Sequence, residues 1–132
     1  MSQPAHGTHD FAEDPRNREV LIHVNGELVP RERAVVSVFD AGFVLGDGVW
    51  EGLRVHAGHP AFLDRHLDRL WEGAAAIALD IGLTREELTT RIYQTLRANE
   101  MTDGVHVRLM VTRGPSPRPT RTRASPRGPP RS

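Results

Sequence analysis

The sequence contains no cysteine and no lysine. Without cysteine, these residues form no disulfide, thiolate nucleophile or cysteine-ligated metal site, which is typical of proteins kept in the reducing cytoplasm. Without lysine, all 17 basic residues are arginine, whose guanidinium stays protonated and cannot form an imine with a carbonyl group. Chemistry that needs a side-chain amine is therefore excluded for these residues.

Long apolar runs are also missing. Residues 1–14 have neither a basic start nor an apolar stretch, so we predict no secretory signal, no membrane span and a cytoplasmic protein. The formal net charge of zero hides an uneven distribution, because residues 1–112 hold 11 arginines and all 17 acids, whereas residues 113–132 hold 6 arginines and no acid. A chain of 132 residues has room for one modest domain.

Apolar patterning predicts strands first, then two helices and a returning strand. Asn25-Gly26 between two apolar runs is a strong hairpin signal, since both residues tolerate the positive φ angles of a type I′ turn. Thr84 followed by Glu87 is a capping-box pattern at the start of the second helix. The order indicates an α+β domain with a small antiparallel sheet and two packed helices. The predicted elements are strands at 20–24, 27–29, 34–39, 49–56 and 105–111, and helices at 60–79 and 84–99.

The two ends differ from this middle part. Residues 1–18 are polar and aperiodic and predict a disordered arm, and residues 19–114 form the predicted domain. Residues 115–132 are rich in proline, serine and arginine with almost no apolar residue, which predicts a disordered tail.

Three motifs, taken together, resemble class IV pyridoxal-phosphate-dependent aminotransferases, the group that includes branched-chain and D-amino-acid aminotransferases. Residues 43–54 read Phe-Val-Leu-Gly-Asp-Gly-Val-Trp-Glu-Gly-Leu-Arg, residues 66–70 read His-Leu-Asp-Arg-Leu, and residues 111–114 read Val-Thr-Arg-Gly. Each motif alone has low specificity, whereas their order and spacing together are specific. The resemblance spans residues 21–114 and implies the amino-terminal small domain of a homodimeric enzyme that acts on an amino acid and a 2-oxo acid.

The resemblance also implies roles for individual residues. Arg69 matches the arginine that binds the cofactor phosphate, which suits a planar, permanently charged guanidinium. Phe43 and Trp50 match positions that shape the substrate pocket, although both side chains could equally be core aromatics. Arg108 and Arg113 match alternative positions for binding the substrate carboxylate, and the sequence does not decide between them. Glu51 matches a common family acid beside the pocket.

In this family the imine-forming lysine lies in a second domain that follows the segment seen here. We therefore expect a truncated fragment that is inactive alone, holds pyridoxal phosphate loosely at best and has no catalytic residue of its own. Restoring one adenine within the codon of Ser116 allows residues 115–125 to be regrouped as Pro-Lys-Pro-Thr-Pro-Tyr-Gln-Asp-Pro-Arg-Val, which resembles the continuation of related sequences. The tail is therefore expected to be an out-of-frame translation.

Other interpretations have less support. The basic tail could bind nucleic acid or acidic partners by charge, in which case the chain would be a non-enzymatic interaction module. His66 and Asp68 could act as acid and base, but no nucleophile accompanies them. His56 and His59 have metal-ligand spacing without a third ligand in view, so no metal site is predicted.

Overall fold

The structure, a computed structural model, describes residues 13–115. Within these residues the chain forms two antiparallel sheets, of two and three strands, and two helices of 14 residues each. The α+β class predicted from the sequence is confirmed. The elements are β1 (Leu21–Val24), β2 (Glu27–Pro30), α1 (Ala41–Leu45), β3 (Gly48–His56), β4 (His59–Pro60), α2 (Leu63–Ala76), α3 (Arg85–Ala98) and β5 (Val105–Thr112), with 3-10 helices at Pro15–Asn17 and Arg31–Arg33.

The first sheet is the predicted hairpin. Asn25 and Gly26 adopt φ angles of 50° and 95°, the positive values that a type I′ turn requires, and Val24 pairs with Glu27 across the turn. The side chain of Asn99, at the end of α3, continues the pairing: its Oδ1 accepts from the Leu21 amide at 2.7 Å and its Nδ2 donates to the Leu21 carbonyl at 2.9 Å. The hairpin is thereby attached to α3.

The second sheet has the order β4-β3-β5. β3 and β5 pair along almost their whole length, from Gly48 opposite Thr112 to Val55 opposite Val105. Because side chains alternate along a strand, the odd-numbered residues of β3 face the helices and the even-numbered ones form the opposite face, which we call the open face. This alternation gives the second sheet a helix-facing side and an open face.

The core lies between β3 and the two long helices. Leu53 and Val55 of β3 are 0% exposed, and Leu70 of α2 is 1% exposed. Leucine and isoleucine side chains of α3 close the other side of this cluster, namely Leu88, Ile92 and Leu96. The apolar patterning of the sequence predicted both of these helices.

Helix α3 begins with a complete capping box. The Thr84 hydroxyl accepts from the Glu87 amide at 3.0 Å, and the Glu87 carboxylate accepts from the Thr84 amide at 2.8 Å. Thr84→Ala removes the acceptor of the first bond, so we expect a loss of about 1 kcal/mol in the free energy of unfolding, measured by urea denaturation. Thr90→Ala, the same change at an exposed interior position of α3, is the control and is expected to be neutral or slightly stabilising. Equal losses in the two variants would contradict this account of the helix start.

The strand predicted at residues 34–39 is wrong. Val35 and Val36 are 71% and 66% exposed, so neither the odd-numbered nor the even-numbered residues of this run form a buried face. The run also pairs with no strand among residues 13–115. Instead, Asp40 ends the run by accepting from the Gly42 amide at 2.8 Å, which caps the short helix α1. No helix was predicted at α1, because five residues are too few to show a helical period.

At the amino-terminal end, residues 13–18 have structure where the sequence predicted only an arm. Arg16 donates to the carbonyls of Asp103 and Gly104 at 2.9 and 3.0 Å, which holds the first 3-10 helix beside the turn that precedes β5. Residues 1–12 of the predicted arm and residues 116–132 of the predicted tail lie outside the described part of the chain. Between residues 13 and 115 the structure contains no helix that is long and apolar enough to span a bilayer.

Candidate functional site

A buried acid lies at the centre of the candidate site. Glu51 is on the helix-facing side of β3 and is only 7% exposed, with the apolar residues Val49 and Leu53 before and after it on the same side. Burial of a carboxylate is unfavourable unless the group is paired and hydrogen-bonded. Glu51 therefore needs donors from the helix that covers this face.

Helix α2 supplies two such donors. His66 and Arg69 are three residues apart, which places them as neighbours on one face of the helix. His66 Nδ1 lies 2.5 Å from Glu51 Oε1, and Arg69 Nη2 donates to the same oxygen at 2.7 Å. Oε1 of Glu51 thus contacts both side chains and links helix α2 to strand β3.

The two partners of Glu51 differ in exposure. The His66 side chain is 21% exposed, whereas the Arg69 side chain is 67% exposed. Burial acts to raise the pKa of Glu51, but the hydrogen bonds from Arg69 and His66 and their charges outweigh it and leave that pKa below its ordinary value. The same bond to Glu51 raises the pKa of Arg69. Glu51 is therefore a carboxylate at neutral pH.

Because the pKa of Glu51 is lower in the folded state than its ordinary value of 4.5, its ionisation stabilises the fold above pH 4.5 and this contribution is lost as pH falls through the folded-state pKa. Glu51→Gln cannot ionise at this position. We therefore expect the difference in melting temperature between the unaltered chain and Glu51→Gln to have its full size above about pH 5 and to shrink below about pH 4. Thermal unfolding followed by circular dichroism measures this. A difference that stays constant with pH would contradict the depressed pKa.

The open face of the sheet holds a second group. The guanidinium carbon of Arg108 lies 4.4 Å from the centre of the Trp50 ring, a cation–π stack. Directly opposite Arg108 on β3 is Gly52, where an added Cβ would come within 2.9 Å of the His106 ring. The absence of a side chain at Gly52 thus leaves room for these rings on the sheet.

Arg113 has a different environment from the other candidate arginine. Its Nε and Nη2 donate to the two carboxylate oxygens of Asp47 at 2.7 and 3.1 Å. Its Nη1 and Nη2 also donate to the carbonyls of Ala78 and Ile77 at the end of α2, at 3.1 and 2.7 Å. The hydrogen bonds between Arg113 and Asp47 raise the pKa of Arg113 and lower that of Asp47. Arg113 therefore joins β5 to the end of α2.

The aromatic candidates are exposed and do not belong to the core. Phe43 in α1 is 71% exposed and Trp50 is 55% exposed. The structure brings Trp50 and Arg108 together, but no hydrogen bond or ring stack within residues 13–115 joins them to Phe43, Arg69 or Arg113. The candidates from the sequence thus fall into separate groups, with Arg69 on the helix side and Trp50 and Arg108 on the open face.

The remaining candidates make other contacts. His66 bonds to Glu51, whereas Asp68 accepts from Arg85 at 2.6 Å, so His66 and Asp68 do not act on one another. His59 Nδ1 lies 3.0 Å from the Tyr93 hydroxyl. No cluster of three metal-ligating side chains occurs in the described stretch.

The sequence suggested Glu51 only as an acid beside the pocket and did not indicate its contact with His66 and Arg69. One signal was available, because an acid at a helix-facing position between apolar residues of a strand is unusual and implies a paired partner. The sequence could not identify that partner, since His66 and Arg69 are 15 and 18 residues away along the chain.

The fold is that of solved branched-chain aminotransferases. The enzyme from Thermoproteus uzoniensis, solved with norvaline, superposes with a TM-score of 0.67 at 30% identity, over 75% of this chain and 35% of that one. The T.th. branched-chain amino acid aminotransferase, complexed with N-(5′-phosphopyridoxyl)-L-glutamate, gives a TM-score of 0.65 at 31% identity, over 74% of this chain and 34% of that one.

Sequence comparison agrees with the structural likeness. The family model "Amino-transferase class IV" matches residues 48–129. Branched-chain-amino-acid aminotransferase-like protein 2 of Arabidopsis thaliana is 49% identical over 100 residues, which are 76% of this chain and 18% of that protein. The chain belongs to the class IV aminotransferase family. It spans only a part of each of these relatives, about a third of the two solved enzymes.

Proposed function

We propose that this chain contributes the cofactor-phosphate contact and a substrate-carboxylate contact to a class IV transaminase, which transfers an amino group between an amino acid and a 2-oxo acid. Membership of the family supports this assignment. The single structural observation that carries it is the placement of Arg69, a largely exposed guanidinium held at one nitrogen by a buried carboxylate.

The residues present fit the phosphate of pyridoxal phosphate. Arg69 uses Nη2 for Glu51, and among the described residues its Nε and Nη1 make no hydrogen bond. Those N–H groups are the type of donor that a phosphate monoester accepts from, and the fixed charge adds to the attraction. When bound, the cofactor supplies the electron sink for amino-group transfer. Arg69 would hold its phosphate.

The residues present do not fit covalent attachment of the cofactor. The 132 residues contain no lysine, and a guanidinium cannot take the place of a primary amine in forming an imine or in moving the substrate proton. We therefore propose that this polypeptide by itself does not transaminate and holds the cofactor weakly.

Of the two arginines that could bind the substrate carboxylate, Arg108 is the better supported. Its guanidinium lies on the open face against Trp50 and donates no hydrogen bond within residues 13–115, so its donors are available to an anion. Arg113 has its donors engaged by Asp47 and the end of α2. Trp50 would then form one wall of the substrate site, and Phe43, exposed on α1, is proposed to line it as well.

We also propose a cytoplasmic, homodimeric enzyme in its complete form. The absence of cysteine supports the compartment. Apolar side chains in and before α1 are exposed, among them Val36 at 66%, Phe39 at 56% and Leu45 at 73%. Such exposure supports the proposal that another protein surface packs against α1 in the dimer. The out-of-frame origin of residues 115–132 remains a proposal, which reading the coding DNA in the neighbouring frame tests.

The phosphate contact is tested by comparing pyridoxal phosphate with pyridoxal, which lacks the phosphate. We expect the unaltered chain to bind the phosphorylated form roughly tenfold more tightly or better, since a hydrogen bond to a charged group contributes about 1.5–3 kcal/mol. Arg69→Ala is expected to reduce this preference to near unity, as measured by absorbance titration. Arg65→Ala, an exposed arginine one turn earlier on the same helix, is expected to keep it. No preference in the unaltered chain would contradict the assignment.

A further inference from the structure

We propose that Glu51 is a positioning residue that holds the Arg69 guanidinium in the orientation that receives a phosphate monoester. The inference rests on the role proposed for Arg69. Glu51 itself, 7% exposed on the helix-facing side of β3, would not touch the phosphate and acts only through Arg69.

An exposed arginine side chain is a poor binding group unless something orders it. Arginine loses much rotamer entropy when it is held in one conformation, and the Arg69 side chain is 67% exposed, so packing does little to restrict it. The Glu51 carboxylate is restricted, because it is buried in the strand and its Oε1 is also bound by His66 at 2.5 Å. Arg69 Nη2 donates to that oxygen at 2.7 Å. The guanidinium is therefore held by a group that is itself fixed in the strand.

The contact orders Arg69 without using all of its donors. Arg113 shows the contrasting arrangement, in which Nε, Nη1 and Nη2 all donate to protein oxygens. Arg69 donates through Nη2 alone within the described part of the chain. A guanidinium held at one nitrogen and open at the others is the arrangement expected of a pre-organised anion ligand.

Charge alone predicts the opposite effect of Glu51. A carboxylate beside Arg69 reduces the attraction of the site for a phosphate, so its removal would strengthen phosphate binding if only the summed charge mattered. If Glu51 orders Arg69, the removal of Glu51 weakens phosphate binding. The Arg69 side chain must then lose its conformational freedom when phosphate binds, and this loss opposes binding. The sign of the change therefore separates the two explanations.

The experiment titrates inorganic phosphate into ¹⁵N-labelled chain and follows the side-chain NMR signal of Arg69. Glu51→Asp keeps the charge but shortens the side chain by one methylene, so it loses contact with Arg69. Glu51→Gln keeps the shape but removes the charge. We expect both variants to bind phosphate more weakly, roughly tenfold for Glu51→Asp, the order expected when one long side chain must be immobilised on binding. Glu72→Gln, which removes an exposed acid from the same helix, is the matched charge control and is expected to bind no more weakly than the unaltered chain.

Tighter binding in Glu51→Gln with unchanged binding in Glu51→Asp would overturn the positioning role while leaving the phosphate assignment intact. An Arg69 signal that does not respond to phosphate in the unaltered chain would overturn the assignment of Arg69 and this inference with it. If neither variant folds, as judged by circular dichroism, the inference is tested on the unaltered chain by its guanidinium rotation rates. Slow guanidinium rotation at Arg69 compared with exposed Arg97 supports the inference, and equally fast rotation at both overturns it.

Discussion

Replacing Leu70 with alanine is expected to lower the free energy of unfolding by about 2–5 kcal/mol, the range found for leucine-to-alanine changes in well-packed cores. Leu70 is 1% exposed and belongs to the same cluster as Leu53 of β3 and Ile92 of α3. Its truncation removes apolar contact with both neighbouring elements and leaves a cavity between them. The loss is a large fraction of the free energy of unfolding of a whole domain, which is typically roughly 5–15 kcal/mol.

Leu45→Ala is the matched control for this prediction. Leu45 is 73% exposed at the end of α1, so the same change in side chain removes little buried area and is expected to alter stability by less than about 0.5 kcal/mol. Urea denaturation followed by circular dichroism measures both variants. A loss at Leu70 as small as that at Leu45 would mean that α2 does not pack on β3 as described.

Local chemistry explains which elements could be predicted. The Asn25-Gly26 turn, the Thr84 and Glu87 capping box and the alternation of β5 each depend on residues close together in the chain, and all three are present. The run at residues 34–39 has β-branched residues but is not a strand. A strand needs a partner at its edge, and an apolar pattern does not show whether a partner exists.

The sequence suggests individual candidate residues for the site but not their arrangement, and their roles stay predictions. The family resemblance suggested Arg69, Trp50 and Arg108 as candidates, yet only the fold shows that Arg69 lies on the helix side of β3 and that Trp50 stacks on Arg108 on the other side. The choice between Arg108 and Arg113 likewise depends on Asp47, which is 66 residues away from Arg113 along the chain. Such contacts arise from strand pairing and helix packing, which no local pattern specifies.

The second large effect concerns catalysis. Family membership supports the proposed role in amino-group transfer, whereas the proposed inactivity of this polypeptide rests on the absence of any lysine among its 132 residues. Enzymes accelerate reactions by a factor of about a million or more, so the difference between an active and an inactive chain is easily measured. In the proposed function Arg69 and Arg108 contact anions, and neither guanidinium can form an imine.

The most direct test is a turnover assay of the purified 132-residue polypeptide, free of any other subunit, with saturating pyridoxal phosphate, an amino acid and a 2-oxo acid. We predict no amino-group transfer above the rate given by the same concentration of free pyridoxal phosphate without protein. Sustained transfer well above that rate would contradict the claim that this part of a class IV aminotransferase binds but does not catalyse.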